Sequence, residues 1–278
     1  MATRKTATAS KTTEIANWDE ELAKQAQAAA AMEESTATGQ FFGLKAGVLT
    51  FNDSPLPGNQ MAAIILDSVL ENVFFAGAFD PDVPQTPVCF AFGRDEKELA
   101  PHVNVDTEEG FERQCESCHD CEKNKFGSAE TGRGKACRNT RRLAIISGGT
   151  LNPKTDEFTM TELDAIESAT VGFMKLPVMS VKGYAAYVKN LAGALKKPPL
   201  AMFTKISVVP DPKSQFRVLF EALEPVPDEY LTAILARVNE AKESIEQPYT
   251  PRTEEFEQVK PAQKRGAKAQ APARGRKY

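Results

Sequence analysis

Between about residues 110 and 141 the chain shows neither the two-residue nor the 3.6-residue apolar periodicity that lets a segment bury one face. The same stretch is rich in Gly, Lys and Cys, and its cysteines follow the spacing Cys115-x2-Cys118-x2-Cys121-x15-Cys137. A Cys-x2-Cys turn offers two thiolates to adjacent corners of a tetrahedron, and a distant cysteine closes the loop, which is how Zn²⁺ orders a segment that has little core. Glycines at 127, 132 and 134 suit the tight turns such a loop needs. The expectation is one structural zinc held by Cys118, Cys121 and Cys137, with Cys89 or Cys115 as the fourth ligand. Local spacing favours Cys115, whereas Cys89, in an apolar run upstream, reaches the site only if its strand lies beside the loop. His119 is the weaker candidate, because both of its flanks are already spaced as ligands. An iron–sulfur cluster is the competing cofactor, but the Cys-x3-Cys-Pro continuation of the ferredoxin pattern is missing.

On both sides of this loop the chain reads as short β-type runs: Phe41–Phe51, Ala62–Val69, Asn72–Phe79, Val88–Phe92, Arg142–Ile146 and Thr170–Leu176. Met202–Val209 and Phe216–Leu223 flank Pro210-Asp-Pro-Lys-Ser214 and predict a hairpin. Phe216, Val218 and Phe220 alternate there with Arg217 and Glu221, the pattern of one buried and one wet face. Two helices are expected. One is capped by Ser180 and lines up Tyr184, Tyr187, Val188, Leu191 and Leu195. The other is capped by Asp228 and lines up Leu231, Ile234, Leu235, Val238 and Ile245. The fold class predicted is α+β and β-rich: an OB-like small barrel or bent sheet with a zinc-binding insert and two or three helices.

The ends are different in kind. Residues 2–13 and 250–278 contain almost no large apolar side chain, so neither can offset its ordering entropy. The expected organisation is a disordered N-terminal arm over 1–38, with a marginal helix from Asn17 to Glu34, then a β-rich core over 39–249 and a disordered basic tail over 250–278. No apolar run approaches the ~18 residues of a membrane span and no secretory signal opens the chain, so no membrane partner and a cytoplasmic location are expected.

Net charge is −4, but the tail from 260 onward holds seven basic side chains and no acid, leaving 27 basic against 38 acidic residues elsewhere. A second basic cluster lies on the cysteine loop: Lys123, Lys125, Arg133, Lys135, Arg138, Arg141 and Arg142, with Phe126 among them. Cations that neutralise phosphates beside an aromatic face that stacks a base are the means of single-strand binding, so single-stranded DNA, or RNA, is the expected partner. Gly127-Ser-Ala-Glu-Thr-Gly-Arg-Gly-Lys-Ala136 fails as a phosphate-binding P-loop, since Arg133 stands where the lysine belongs and Ala136 replaces Ser or Thr. His102 and His119 fit no nucleophile–base pattern, and an all-cysteine zinc site is a closed one, so no enzymatic activity is expected. A protein-interaction factor docking on replication proteins is the alternative.

Pro87-Val-Cys-Phe90, Cys118-x2-Cys121-x2-Asn124-Lys-Phe-Gly-Ser128, Gly134-Lys-Ala-Cys137 and Arg141-Arg-Leu143 together resemble a family of phage-encoded small proteins found among replication and recombination genes. The similarity extends weakly through Leu176-Pro-x-x-Ser180 and Thr204, over roughly residues 75–245. It implies phage origin, a bacterial host cytoplasm and a role in DNA replication or recombination. It also implies Cys89, Cys118, Cys121 and Cys137 as the shared cysteines, with Cys115 an extra. Glu122 replaces the proline often found at that place in the family. A more distant likeness is to zinc-containing phage single-strand binding proteins with an OB-like barrel, from whose acidic tails the basic tail here departs.

Overall fold

The computed structural model describes residues 40–77, 85–130 and 132–250. The arm expected over 1–38, its helix, and the tail beyond Thr250 lie outside the described residues.

Ten strands of the described residues form one sheet. They are β1 (Gln40–Lys45), β2 (Val48–Phe51), β3 (Ser54–Pro55), β4 (Gln60–Phe74), β5 (Cys89–Gly93), β6 (Cys137–Leu151), β7 (Phe158–Met160), β8 (Gly172–Leu176), β9 (Met202–Asp211) and β10 (Gln215–Pro225). Their order is β10-β9-β4-β6-β8-β1-β2-β3, with β5 added to β4 and β7 to β6. The sheet is open, not the closed barrel entertained from the sequence. The reason lies in β4 and β6, 15 residues each, which form a long antiparallel spine. β4 changes partner partway along: β9 pairs with it up to Ile64, and β5 from Leu70 onward.

Helices cover both faces, which a two-faced apolar spine requires. The described helices are α1 (Asn104–Thr107), α2 (Leu163–Glu167), α3 (Val178–Asn190) and α4 (Leu231–Ser244). Ile64, Ile146, Phe173 and Phe203 pack with Ile234, Val238 and Ala241 of α4. Ile65, Leu143, Ile145, Met174 and Ile206 pack on the other face with Tyr184 and Tyr187 of α3. A bulge between Ile65 and Asp67 keeps the two faces consistent. It inserts Leu66, so that even-numbered residues before it and odd-numbered residues after it (Val69, Glu71, Val73) face α4.

Both helices form, but neither expected cap does. Pro177 precedes α3, and Ser180 is buried inside it, its Oγ accepting the Val218 N–H at 3.0 Å. Asp228 lies in the 3-10 turn Asp228–Tyr230 that leads into α4 behind Pro227. Leu195 and Leu235, expected in the core, are exposed. Leu195 ends a π turn, Leu191–Leu195, whose wider winding shifts it off the face that Tyr184 and Tyr187 share.

Candidate metal centre and nucleic-acid interface

β5 and β6 both begin on a cysteine, and both are opposite the same residue of β4. Phe74 is the register partner of Cys89 on one side and of Cys137 on the other. Opposed residues of an antiparallel ladder point to one face, so the two thiols flank Phe74 on the α3 face. The loop from 94 to 136 supplies the others. Cys118 N–H donates to Leu99 O at 2.9 Å, and Asn124 Nδ2 donates to Cys118 O at 2.6 Å. The 3-10 turn Glu122–Asn124 follows Cys121, with the Asn124 N–H donating to Cys121 O at 2.9 Å. All five cysteines line one cavity of about 10 Å³, with Asn72, Phe74 and Asn124. The loop ends at Ala136, so residues 137–141 of the expected insert belong to β6.

Cys89, Cys118, Cys121 and Cys137 are buried, and Cys115 is half-buried. Burial, then the neighbouring thiolates, push Cys118 up to about 11 and Cys137 up to about 12. Burial raises Cys89 as well, and burial together with a hydrogen bond to Cys121 raises Cys115. Such thiols ionise together only beside a cation, and thiolates are the donors that Zn²⁺ prefers. The fit is incomplete in one respect: among the described residues no group of three or more Cys, His, Asp or Glu side chains converges as a finished metal cage. The thiols ring the space without closing on one point. His119 lies outside the ring, exposed, its Nδ1 3.0 Å from Asp120 Oδ1.

The basic side chains divide. Phe126 is 83% exposed at the loop tip, with Lys135 Nζ 5.3 Å above its ring. Arg133 is exposed, and Lys125 is exposed with its Nζ 2.5 Å from Glu122. Gly127 and Gly132 have positive φ, and Ser128 Oγ accepts the Ala136 N–H at 2.9 Å, closing the loop on itself. Lys123 lies 5.1 Å over Phe74, and Arg138 lies 5.1 Å over Phe75. Arg141 points to the cysteine face, its Nη1 3.2 Å from Ser68 Oγ.

Arg142 does not belong with them. It is buried, 3.0 Å from Glu71, and donates to Ile245 O and Gln247 O at 3.1 and 2.8 Å. Its guanidinium also lies 4.2 Å from the Phe92 ring. β6 turns it to the α4 face, away from the other candidates, and no phosphate reaches it. Glu71, wholly buried, gathers Arg142, Lys175 at 3.4 Å and the Tyr249 hydroxyl, which donates to it. The sequence reading missed this cluster, although its signal was present: a glutamate inside the apolar run Val69–Val73 needs an interior partner.

His102 Nδ1 accepts the Asn104 N–H, and the ring of neither histidine has a hydroxyl or thiol as a hydrogen-bond partner among the described residues. No described helix is long and apolar enough to cross a membrane. No family model, curated protein or solved structure matches the chain.

Proposed function

We propose that this chain is a non-catalytic single-stranded nucleic-acid-binding protein whose binding loop is stiffened by one structural Zn²⁺. The ligands are Cys89, Cys118, Cys121 and Cys137, the four buried thiols. Cys115 is the less buried neighbour. The zinc supplies no reaction and fixes the loop. The observation that carries the binding role is Phe126. An aromatic ring this exposed, capped by Lys135 and flanked by Lys125 and Arg133, presents a stacking face inside a positive patch. Because helices cover both faces of the sheet, a strand is held at the loop and not across a barrel. Single-stranded DNA in phage replication or recombination, in the bacterial cytoplasm, is the context proposed.

A salt titration of binding to a short oligonucleotide tests it. Lys135→Ala should make the logarithmic salt slope shallower by about 0.7. Phe126→Ala should cost about 1–3 kcal/mol with the slope unchanged. Metal analysis should return about one zinc per chain. Binding indifferent to both substitutions refutes the interface, and metal-free native protein refutes the centre.

A further inference from the structure

Where β9 leaves β4 after Ile64 and β5 has not yet joined at Leu70, no described strand lies beside residues 65–69 along that edge. α3 passes this window. The opening is a cavity of about 350 Å³, within the size range of small-ligand sites, about 300–1,000 Å³. Ile65, Val188 and Leu200 are among its apolar lining residues, and Arg141, Lys189 and Ser68 among its polar ones.

Arg141 is poised without being satisfied. Its guanidinium carbon lies 5.9 Å from the Tyr184 ring centre, while its Nε is buried with no hydrogen-bond partner among the described residues. An anionic oxygen in the cavity meets the guanidinium at its terminal nitrogens, of which Nη1 already donates to Ser68 Oγ and Nη2 has no hydrogen bond among the described residues. The acid on the rim does not compete, because Arg94 holds the Asp67 carboxylate at 2.7 and 2.6 Å. Two cations beside apolar lining residues match an anion that carries an apolar body. Arg141 also lies four residues from Cys137 on the same face of β6, about 13 Å along the strand. A short length of single strand spans that distance from the cysteine loop.

We infer that this window is a nucleotide-binding pocket, with Arg141 and Lys189 holding the phosphate and the wall of Ile65, Val188 and Leu200 taking the base. Its role as one position of a bound strand rests on the single-strand reading, but occupancy by a free nucleotide does not.

Thymidine 5′-monophosphate titrated into the full-length protein, followed by calorimetry, tests the pocket. Saturable binding is expected in the wild type and in Lys135→Ala. At least tenfold weaker binding is expected in Ala185→Trp, which fills the chamber, and in Arg141→Met, which keeps the stem and removes the charge. Thermal melts check that each variant is folded, and if Ala185→Trp is not, Arg141→Met carries the result. Absence of saturable binding by the wild type, or undiminished binding by the folded variants, overturns the pocket. Oligonucleotide binding that Lys135→Ala weakens and Ala185→Trp does not, with no mononucleotide bound by the wild type, would sink the pocket and spare the loop. Mononucleotide binding lost in Ala185→Trp, with no single strand bound at all, would uphold the pocket and sink the single-strand role.

Discussion

Glu71 carries its charge fully buried, and β6, β8 and the segment that follows α4 supply its partners. Burial pushes its carboxyl up, but Lys175, Arg142 and the Tyr249 hydroxyl more than offset this and hold it below its ordinary value of 4.5. A carboxyl lowered in the folded state contributes stability above its unfolded value, where it is ionised and its partners favour that form; below it the unfolded chain takes up the proton first and the contribution shrinks. That contribution should disappear as pH falls from about 4.5 through the folded value. Urea midpoints measured from pH 6 to pH 3 should therefore fall, and Glu71→Gln should flatten the fall. Arg142→Met leaves the carboxylate buried and short of its closest cation, and should cost about 3–5 kcal/mol. The cysteines give a second contrast at this scale. Cys89→Ser, Cys118→Ser, Cys121→Ser and Cys137→Ser should each lower zinc content, while Cys115→Ser should retain it. Retention in both Cys121→Ser and Cys137→Ser would exclude the site. Local spacing favours Cys115, because the register that sets Cys89 beside Phe74 is a long-range property absent from local sequence.

The elements show where local sequence stops being informative. Met202–Val209, Phe216–Leu223 and Thr170–Leu176 all correspond to strands, since apolar runs ending at proline or turn residues carry their own boundaries. β4 and β6 were legible only in pieces. Glu71 and Asn72 interrupt one apolar pattern, and Asn139, Arg141 and Arg142 delay the start of the other. These polar side chains are accommodated by partners from other elements, such as Asn139 Nδ2 donating to Asn72 Oδ1 at 2.7 Å. The cysteine loop has almost no apolar cluster of its own, Leu99 and Cys118 forming part of a small one with Ala91. Chelator treatment should therefore speed backbone hydrogen exchange across 111–136 and leave the centres of β4, β6 and β9 protected. Uniform acceleration through the sheet would mean that the metal holds the whole fold and not the loop.

At the scale of the whole molecule, the described chain closes through its last residues. Tyr249 packs on Phe90 and Phe92, and its hydroxyl also accepts from Lys175 Nζ at 2.7 Å. A chain ending at Thr250 keeps all of this and should melt close to the full-length protein. One ending at Glu246 loses the Gln247 carbonyl and the Tyr249 hydroxyl, and should melt markedly lower. Equal melting temperatures would remove the clasp from the account of stability. The clasp also sets a timetable. Glu71 and Tyr249 stand 178 positions apart, and Arg142 and Lys175 fall between them. On a ribosome, the acid therefore emerges long before its last partner exists. Contacts this distant in sequence form slowly, since a long loop must close before they return any energy. The carboxylate has to wait, hydrated, until nearly all of the described chain has been made.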